Sequence, residues 1–162
     1  MTNSIAYIVY PGMGKTSLSK KDSRFVDLEV RPYKELGFSD YESANLRGQP
    51  IRDINPEFPG NYYKAGQDAI NNSKTLLLVP KQSTYDLIDA LKIQEYAWIL
   101  PNTERLAQLQ SQMQARGDDQ SYIENNIGKR YNEVLDLAAQ TGKEIIFAQA
   151  GQFLADILKE IK

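Results

Sequence analysis

Five short apolar segments, separated by stretches of helical character, constrain the fold of this chain more than any other feature. They are residues 5–10, 25–30, 75–79, 96–100 and 144–148. Most are nearly continuous in apolar side chains, as strands buried on both faces are, and strands that alternate with helices pair in parallel. The pattern predicts an α/β fold with three α/β/α layers and a mainly parallel five-stranded sheet.

The chain length favours one domain over residues 1–162, because 162 residues are too few for two ordinary domains. Residues 31–60 are polar and rich in proline and glycine, which predicts a long excursion with one short helix at about 41–46. Residues 103–140 predict a helical, lid-like segment. Its first helix is capped by Thr103, and residues 121–140 form one second helix. Ser83 is the predicted cap of an earlier helix.

Composition narrows the chemistry that the chain can perform. It contains no cysteine and no histidine, which excludes thiolate zinc sites, cysteine nucleophiles and imidazole bases. The 19 Lys and Arg against 21 Asp and Glu give a net charge of −2, which argues against a protein that coats nucleic acid. Carboxylates, Lys, Arg, hydroxyls, backbone amides or a hard cation such as Mg²⁺ remain.

No segment approaches the roughly 18 apolar residues of a membrane span, and residues 1–10 lack the basic start of a targeting signal. We therefore expect a cytoplasmic protein without a membrane or nucleic-acid partner. Nothing in the sequence indicates a homo-oligomer.

A glycine-rich stretch between the first strand and a helix predicts a phosphate-binding loop. It comprises Pro11, Gly12, Met13, Gly14, Lys15, Thr16 and Ser17. Glycines allow successive N–H groups to turn inward around an anion, Lys adds a charge for the β- and γ-phosphates, and Thr offers a hydroxyl to Mg²⁺. The alternative is a tight strand-to-helix turn that contains Gly-Lys-Thr by coincidence.

This loop, with the residues Phe25-Val26-Asp27-Leu28-Glu29 further along, resembles the small P-loop ATPases of bacteria and their phages, which are related to nucleoside and nucleotide kinases. The resemblance extends over most of the chain and implies a P-loop NTPase fold that binds ATP and Mg²⁺. The sequence departs from the family pattern at Val9, where the first loop glycine is expected. It also carries Pro80-Lys81-Gln82 where the family has Ser-Ser-His.

The resemblance implies roles for two carboxylates. Asp27 would lie near Thr16 and Mg²⁺, and Glu29 near the acceptor hydroxyl. Residues two apart on a strand share one face, which agrees with this assignment, although the solvent face of an edge strand is the alternative. Asp40 and Glu42 form a second copy of the same element.

Lid arginines in such kinases clamp the transferring phosphates, which implies this role for Arg116 and Arg130. Helical spacing places Arg105 and Arg116 on one face, beside an apolar stripe. Solvent-reaching side chains or structural ion pairs are the alternative. Arg31, Arg47 and Arg52 lie in the excursion, where they could hold an anionic acceptor.

Three functions are consistent with these features. The first is a kinase that transfers the γ-phosphoryl group of ATP to a small acceptor such as a nucleoside or nucleotide. The second is a nucleotide-binding regulatory or interaction module with little or no turnover, and the third is an ATPase that drives a partner.

Overall fold

The computed structural model describes residues 4–37 and 53–161. The strands of this part of the chain are β1 (Ala6–Val9), β2 (Phe25–Asp27), β3 (Thr75–Leu78), β4 (Tyr96–Pro101) and β5 (Ile145–Ala148). They form one five-stranded sheet in the order β2-β3-β1-β4-β5. Every neighbouring pair is parallel. The α/β class and the parallel five-stranded sheet are therefore confirmed.

Helices lie between successive strands, and one more helix follows β5. They are α1 (Lys15–Lys21), α2 (Arg31–Lys34), α3 (Gly60–Asn71), α4 (Gln82–Ala90), α5 (Thr103–Ala115), α6 (Gln120–Glu124), α7 (Arg130–Thr141) and α8 (Leu154–Ile161), with a π-helical turn at Asn125–Lys129. Right-handed crossovers place α1 on one face of the sheet and α3, α4 and α7 on the other. Helix α8 contacts α1 and so joins the first face, which gives three layers.

The core lies on both faces of the three central strands. Every residue of β1 and β3 is buried, and so is all of β4 after Tyr96. The edge strand β5 is more open, with Phe147 41% exposed. Burial on two faces explains why the central strands are nearly continuous in apolar residues.

The connections reverse direction at the carboxyl end of β1. The chain leaves β1 for β2 on one side, returns through β3, and then passes to β4 on the other side of β1. In open α/β sheets, ligands bind outside the carboxyl ends of the strands at such a reversal. The loops that leave β1, β2 and β3 meet at this edge.

Two predicted helix caps are wrong. Asn102, rather than Thr103, is the N-cap of α5, and its side chain accepts a hydrogen bond from the backbone N–H of Arg105. Lys81, rather than Ser83, precedes the first residue of α4. In both places the chain becomes helical earlier than predicted. Lys81 and Asn102 are the last residues with an extended backbone, and Ser83 and Thr103 are already helical.

The predicted helix at 121–140 is divided. Helix α6 ends at Glu124, the π-helical turn comes next, and α7 begins at Arg130. A π turn inserts one residue into the helical repeat and rotates the side chains beyond it, which a search for regular periodicity does not detect. A short helix, α2, lies in the predicted excursion, and the helix predicted at 41–46 lies outside the described residues.

None of the helices in the described ranges has the length and apolar character needed to cross a membrane.

The N-cap assignment gives a stability prediction. Replacing Asn102 by Ala removes the acceptor for the Arg105 amide, and we expect a loss of about 1 kcal/mol in the free energy of unfolding. Urea denaturation measures this loss. Thr103→Ala is the matched control and should change stability much less; equal losses in the two variants would contradict the assignment.

Candidate functional site

The loop between β1 and α1 is tightly constrained. Gly12 and Gly14 have φ angles of 89° and 94°, which L side chains rarely adopt. A Cβ atom on Gly12 would lie 2.9 Å from Leu109 Cδ2, and one on Gly14 would lie 3.6 Å from Phe153 Cδ1. Both positions therefore suit glycine, and α5 and the segment before α8 hold the loop in place. Pro11, Met13 and Ser17 complete the predicted loop, of which Met13 is buried and Ser17 exposed.

Two contacts join this loop to the end of β2. The Thr16 hydroxyl donates to Asp27 Oδ2 at 2.9 Å. Lys15, only 7% exposed, places its Nζ 3.9 Å from Glu29 Oε1. Four predicted site residues, Lys15, Thr16, Asp27 and Glu29, therefore lie together.

The pair Thr16 and Asp27 fits a hard cation. Asp27 Oδ1 is buried and accepts no hydrogen bond, although the other oxygen of the carboxylate is bonded. Hydroxyl and carboxylate oxygens are ligands that Mg²⁺ prefers. In the described ranges no cluster of three or more Asp, Glu, His or Cys could hold a metal by itself. A cation here would therefore complete its shell with water and with oxygens of a bound phosphate.

This environment perturbs the carboxylate of Glu29. Burial raises its pKa above the ordinary value, and Asp27 raises it further, while Lys15 and Lys81 act in the opposite direction. The raised pKa makes Glu29 a better proton acceptor than an exposed glutamate.

Basic side chains cluster around Lys81, which interacts with Glu29 after the end of β3. Arg130 donates to the carbonyl oxygens of Pro80 and of the Asn126 side chain, both at 3.3 Å. Desolvation lowers the pKa of Lys81; Glu29 opposes this effect, and repulsion from Arg130, Arg31 and Lys34 adds to it. The edge is therefore suited to anions.

Lys81 is a site residue that reasoning from the sequence missed. It comes directly after Pro80 at the end of a strongly apolar strand, and a lysine at the carboxyl end of a buried parallel strand was the available signal.

The two predicted lid arginines have different environments. Arg130 lies against the carboxyl end of β3. Arg116 comes directly after the last residue of α5, is 40% exposed, and bonds Asp118 through its Nε at 2.6 Å. The predicted common face with Arg105 ends with the helix at Ala115, so only Arg105 is buried. Asp40 and Glu42, the second carboxylate pair, lie outside the described residues, as do Arg47 and Arg52.

Arg105 is fully buried and supports the β1–α1 loop through the segment before α8. Its Nε donates to the carbonyl of Gln152 at 2.7 Å, and its guanidinium lies 4.8 Å from the ring centroid of Phe153. The next residue, Leu154, donates its N–H to the carbonyl of Met13 at 2.8 Å. Arg105 therefore fixes the segment between β5 and α8 against the β1–α1 loop.

Comparison with known proteins assigns no family to this arrangement: no protein-family model matches the chain, and no curated protein matches it significantly.

The close contact at Gly12 can be tested through stability. Gly12→Ala combines an unfavourable positive φ, which costs about 1–2 kcal/mol, with the contact to Leu109, so we expect a larger loss than that. Gly117→Ala is the matched control, since Gly117 has a φ of 81° and nothing within 4 Å of the added Cβ. Chemical denaturation of both variants decides; a smaller loss for Gly12→Ala would contradict close packing of the loop.

The raised pKa of Glu29 predicts a pH-dependent stability difference. The folded state disfavours the charged carboxylate, so wild-type Glu29 costs stability above its folded pKa, and this cost disappears below the unfolded value. Glu29→Gln should therefore stabilise the protein at pH 7, with the gain shrinking as the pH falls towards 4. Melting temperatures between pH 4 and 8 measure this trend, and Glu104→Gln at an exposed position is the control. A Glu29→Gln variant that is destabilised at pH 7 would contradict it.

Proposed function

We propose that this protein is an ATP-dependent phosphotransferase of the P-loop type, which transfers the γ-phosphoryl group to the hydroxyl of a small acceptor such as a nucleoside or nucleotide. The observation that carries the proposal is the contact between Thr16 and Asp27, whose second oxygen is buried without a partner. A phosphate-binding loop placed beside an incompletely satisfied carboxylate is the arrangement that a metal–nucleotide complex requires.

The loop residues would bind the nucleotide. Backbone N–H groups from Gly12 to Ser17 would surround the phosphates, since Pro11 has none, and Gly12 and Gly14 would allow close approach. Lys15 carries the charge for the β- and γ-phosphates. Mg²⁺, held by Thr16 and Asp27, would neutralise charge that develops on the phosphate oxygens.

Residues around Glu29 would bind the acceptor and accept its hydroxyl proton. The acceptor oxygen forms a bond to the γ-phosphorus while the bond to the oxygen bridging the β- and γ-phosphates breaks. The hydroxyl proton passes to the Glu29 carboxylate, and ADP leaves. Arg130 and Lys81 supply positive charge beside this position, where guanidinium and ammonium groups stabilise transferring phosphates.

One observation favours the second candidate, a nucleotide-binding module without turnover. Val9 is fully buried in β1 and pairs with Ile99, so the loop begins one residue later, at Tyr10. Because this position belongs to the strand, fewer residues remain in the loop to surround the phosphates.

Thermal shift with nucleotides tests the site directly. We expect ATP·Mg²⁺ at about 100 times its Kd to stabilise wild type by about 2.7 kcal/mol, which corresponds to a rise of about 5–10 °C in Tm. Lys15→Ala should lose this shift. Lys21→Ala, at the other end of α1, is the matched control and should keep it. The same measurement with ADP and with GTP·Mg²⁺ shows which base and which number of phosphates the site prefers.

Transfer is then measured with radiolabelled ATP and a panel of nucleosides and nucleotides. A labelled acceptor, with Glu29→Gln binding ATP normally but transferring at least tenfold more slowly, supports the kinase. Nucleotide protection without turnover supports the binding module, and hydrolysis without a labelled acceptor supports an ATPase. No shift with any nucleotide would overturn the proposed site.

A further inference from the structure

A cavity lies on the sheet face beneath α4 and α7, away from the carboxyl ends of the strands. Its volume is about 250 Å³, and its walls are mostly apolar and aromatic, with Gln82 and Thr141 as their polar members. The apolar and aromatic members come from both helices and from the underlying strands: Ile8, Tyr85, Ile88, Tyr96, Trp98 and Leu137.

The cavity is large enough for a ligand ring. Engineered apolar cavities of about 150 Å³ already hold benzene, so about 250 Å³ exceeds what one ring needs. Helices α4 and α7 make little direct contact with each other, and the space between them is therefore not closed by helix packing.

Two polar groups of this wall, the Trp98 indole and the Thr141 hydroxyl, already have hydrogen-bond partners. Trp98 Nε1 donates to Thr141 Oγ1 at 3.1 Å, and the Thr141 hydroxyl donates to the carbonyl of Ala138 at 2.6 Å. The Tyr85 and Trp98 rings lie 5.9 Å apart at a tilt of 44°. An occupant would therefore meet mainly ring faces and aliphatic groups, which suits a planar apolar body, with the Gln82 side chain at its edge.

One end of the cavity opens towards positive charge. A second cavity of about 220 Å³ shares Tyr85 and Leu137 with the first and is lined further on by Lys81 and Arg130, with Glu133 as its carboxylate. At the opposite end lies a third cavity with the same number of charged groups, which are Asp89, Lys92 and, against the Tyr96 ring, Lys143. Lys143 already donates to the carbonyl of Gln94 at 2.6 Å, whereas the Arg130 bonds measure 3.3 Å and go to neutral acceptors.

We propose that the cleft between α4 and α7 binds a small aromatic anion. The ring lies against Tyr85 and Trp98, and the carboxylate or phosphate lies at Lys81 and Arg130. The ring site is separate from Lys15, Thr16 and Asp27, so the inference does not depend on nucleotide binding, although its anion end shares Lys81 and Arg130 with the acceptor position of the proposed function. Because Arg130 begins α7 directly after the π-helical turn, an occupant would also hold this arginine at the strand edge.

Trp98 provides a direct readout, since it is the only tryptophan of the chain and lines the cavity. Its indole N–H gives one isolated signal in a ¹⁵N–¹H spectrum. We expect phenyl phosphate to shift this signal in a saturable way. Inorganic phosphate has only the charge, and phenol has only the ring. Each should bind at least tenfold more weakly than phenyl phosphate.

Variants distinguish binding in the cleft from binding at the loop between β1 and α1. Leu137→Phe fills the cavity and should weaken the binding of phenyl phosphate at least tenfold. Leu135→Phe lies on the same helix but outside the cavity wall, and it should leave this binding unchanged. Arg130→Gln should weaken phenyl phosphate but not phenol, and this arm remains decisive if Leu137→Phe does not fold. Lys15→Ala should leave the titration unchanged.

Three results would overturn the inference. The first is the absence of a saturable Trp98 shift in folded wild type. The second is binding of inorganic phosphate as tight as that of phenyl phosphate. The third is loss of the shift in Lys15→Ala, which would place the ligand at the loop and would leave the proposed nucleotide site intact.

Discussion

The parallel pairing of β1 with β3 on one side and β4 on the other is the constraint on which the rest of the structure depends. It buries β1 on both faces, so its residues must be apolar and the polar chemistry must begin after Val9. It also brings the loops after β1, β2 and β3 to one edge, although they are far apart in sequence. Lys15, Asp27 and Lys81 therefore share an environment that no local pattern specifies.

Charge at this edge is concentrated at some cost to stability. Glu29 is held partly buried between Lys15 and the second carboxylate, Asp27, and its raised pKa shows that the neighbouring cations do not fully offset its desolvation. Asp27 has one buried oxygen without a hydrogen bond. In the described part of the chain, Thr84 and Arg105 also have buried polar atoms without a partner, but only at Asp27 does such an atom lie beside a hydroxyl and a glycine-rich loop.

The sequence predicted those features that depend on local periodicity or on a motif. Apolar strands and amphipathic helices are specified by the residues within them, and the glycine-rich loop places Lys15 and Thr16 by its position between a strand and a helix. Lys81 and the buried support from Arg105 depend on strand order and on contacts with the segment before α8. The division of residues 121–140 depends on one extra residue in a π turn, which changes the register without changing the composition.

That π turn joins the two parts of the structure that bind ligands in our proposals. A regular helix through residues 120–141 would rotate Arg130 away from its position against Pro80, because each added residue turns the subsequent side chains by about 100°. The same rotation sets which side of α7 faces α4, and hence where Leu137 lines the cleft. One local irregularity therefore fixes both the arginine at the strand edge and the apolar wall behind it. A change in the packing of α7 should therefore alter the position of Arg130 and the wall of the cleft at the same time.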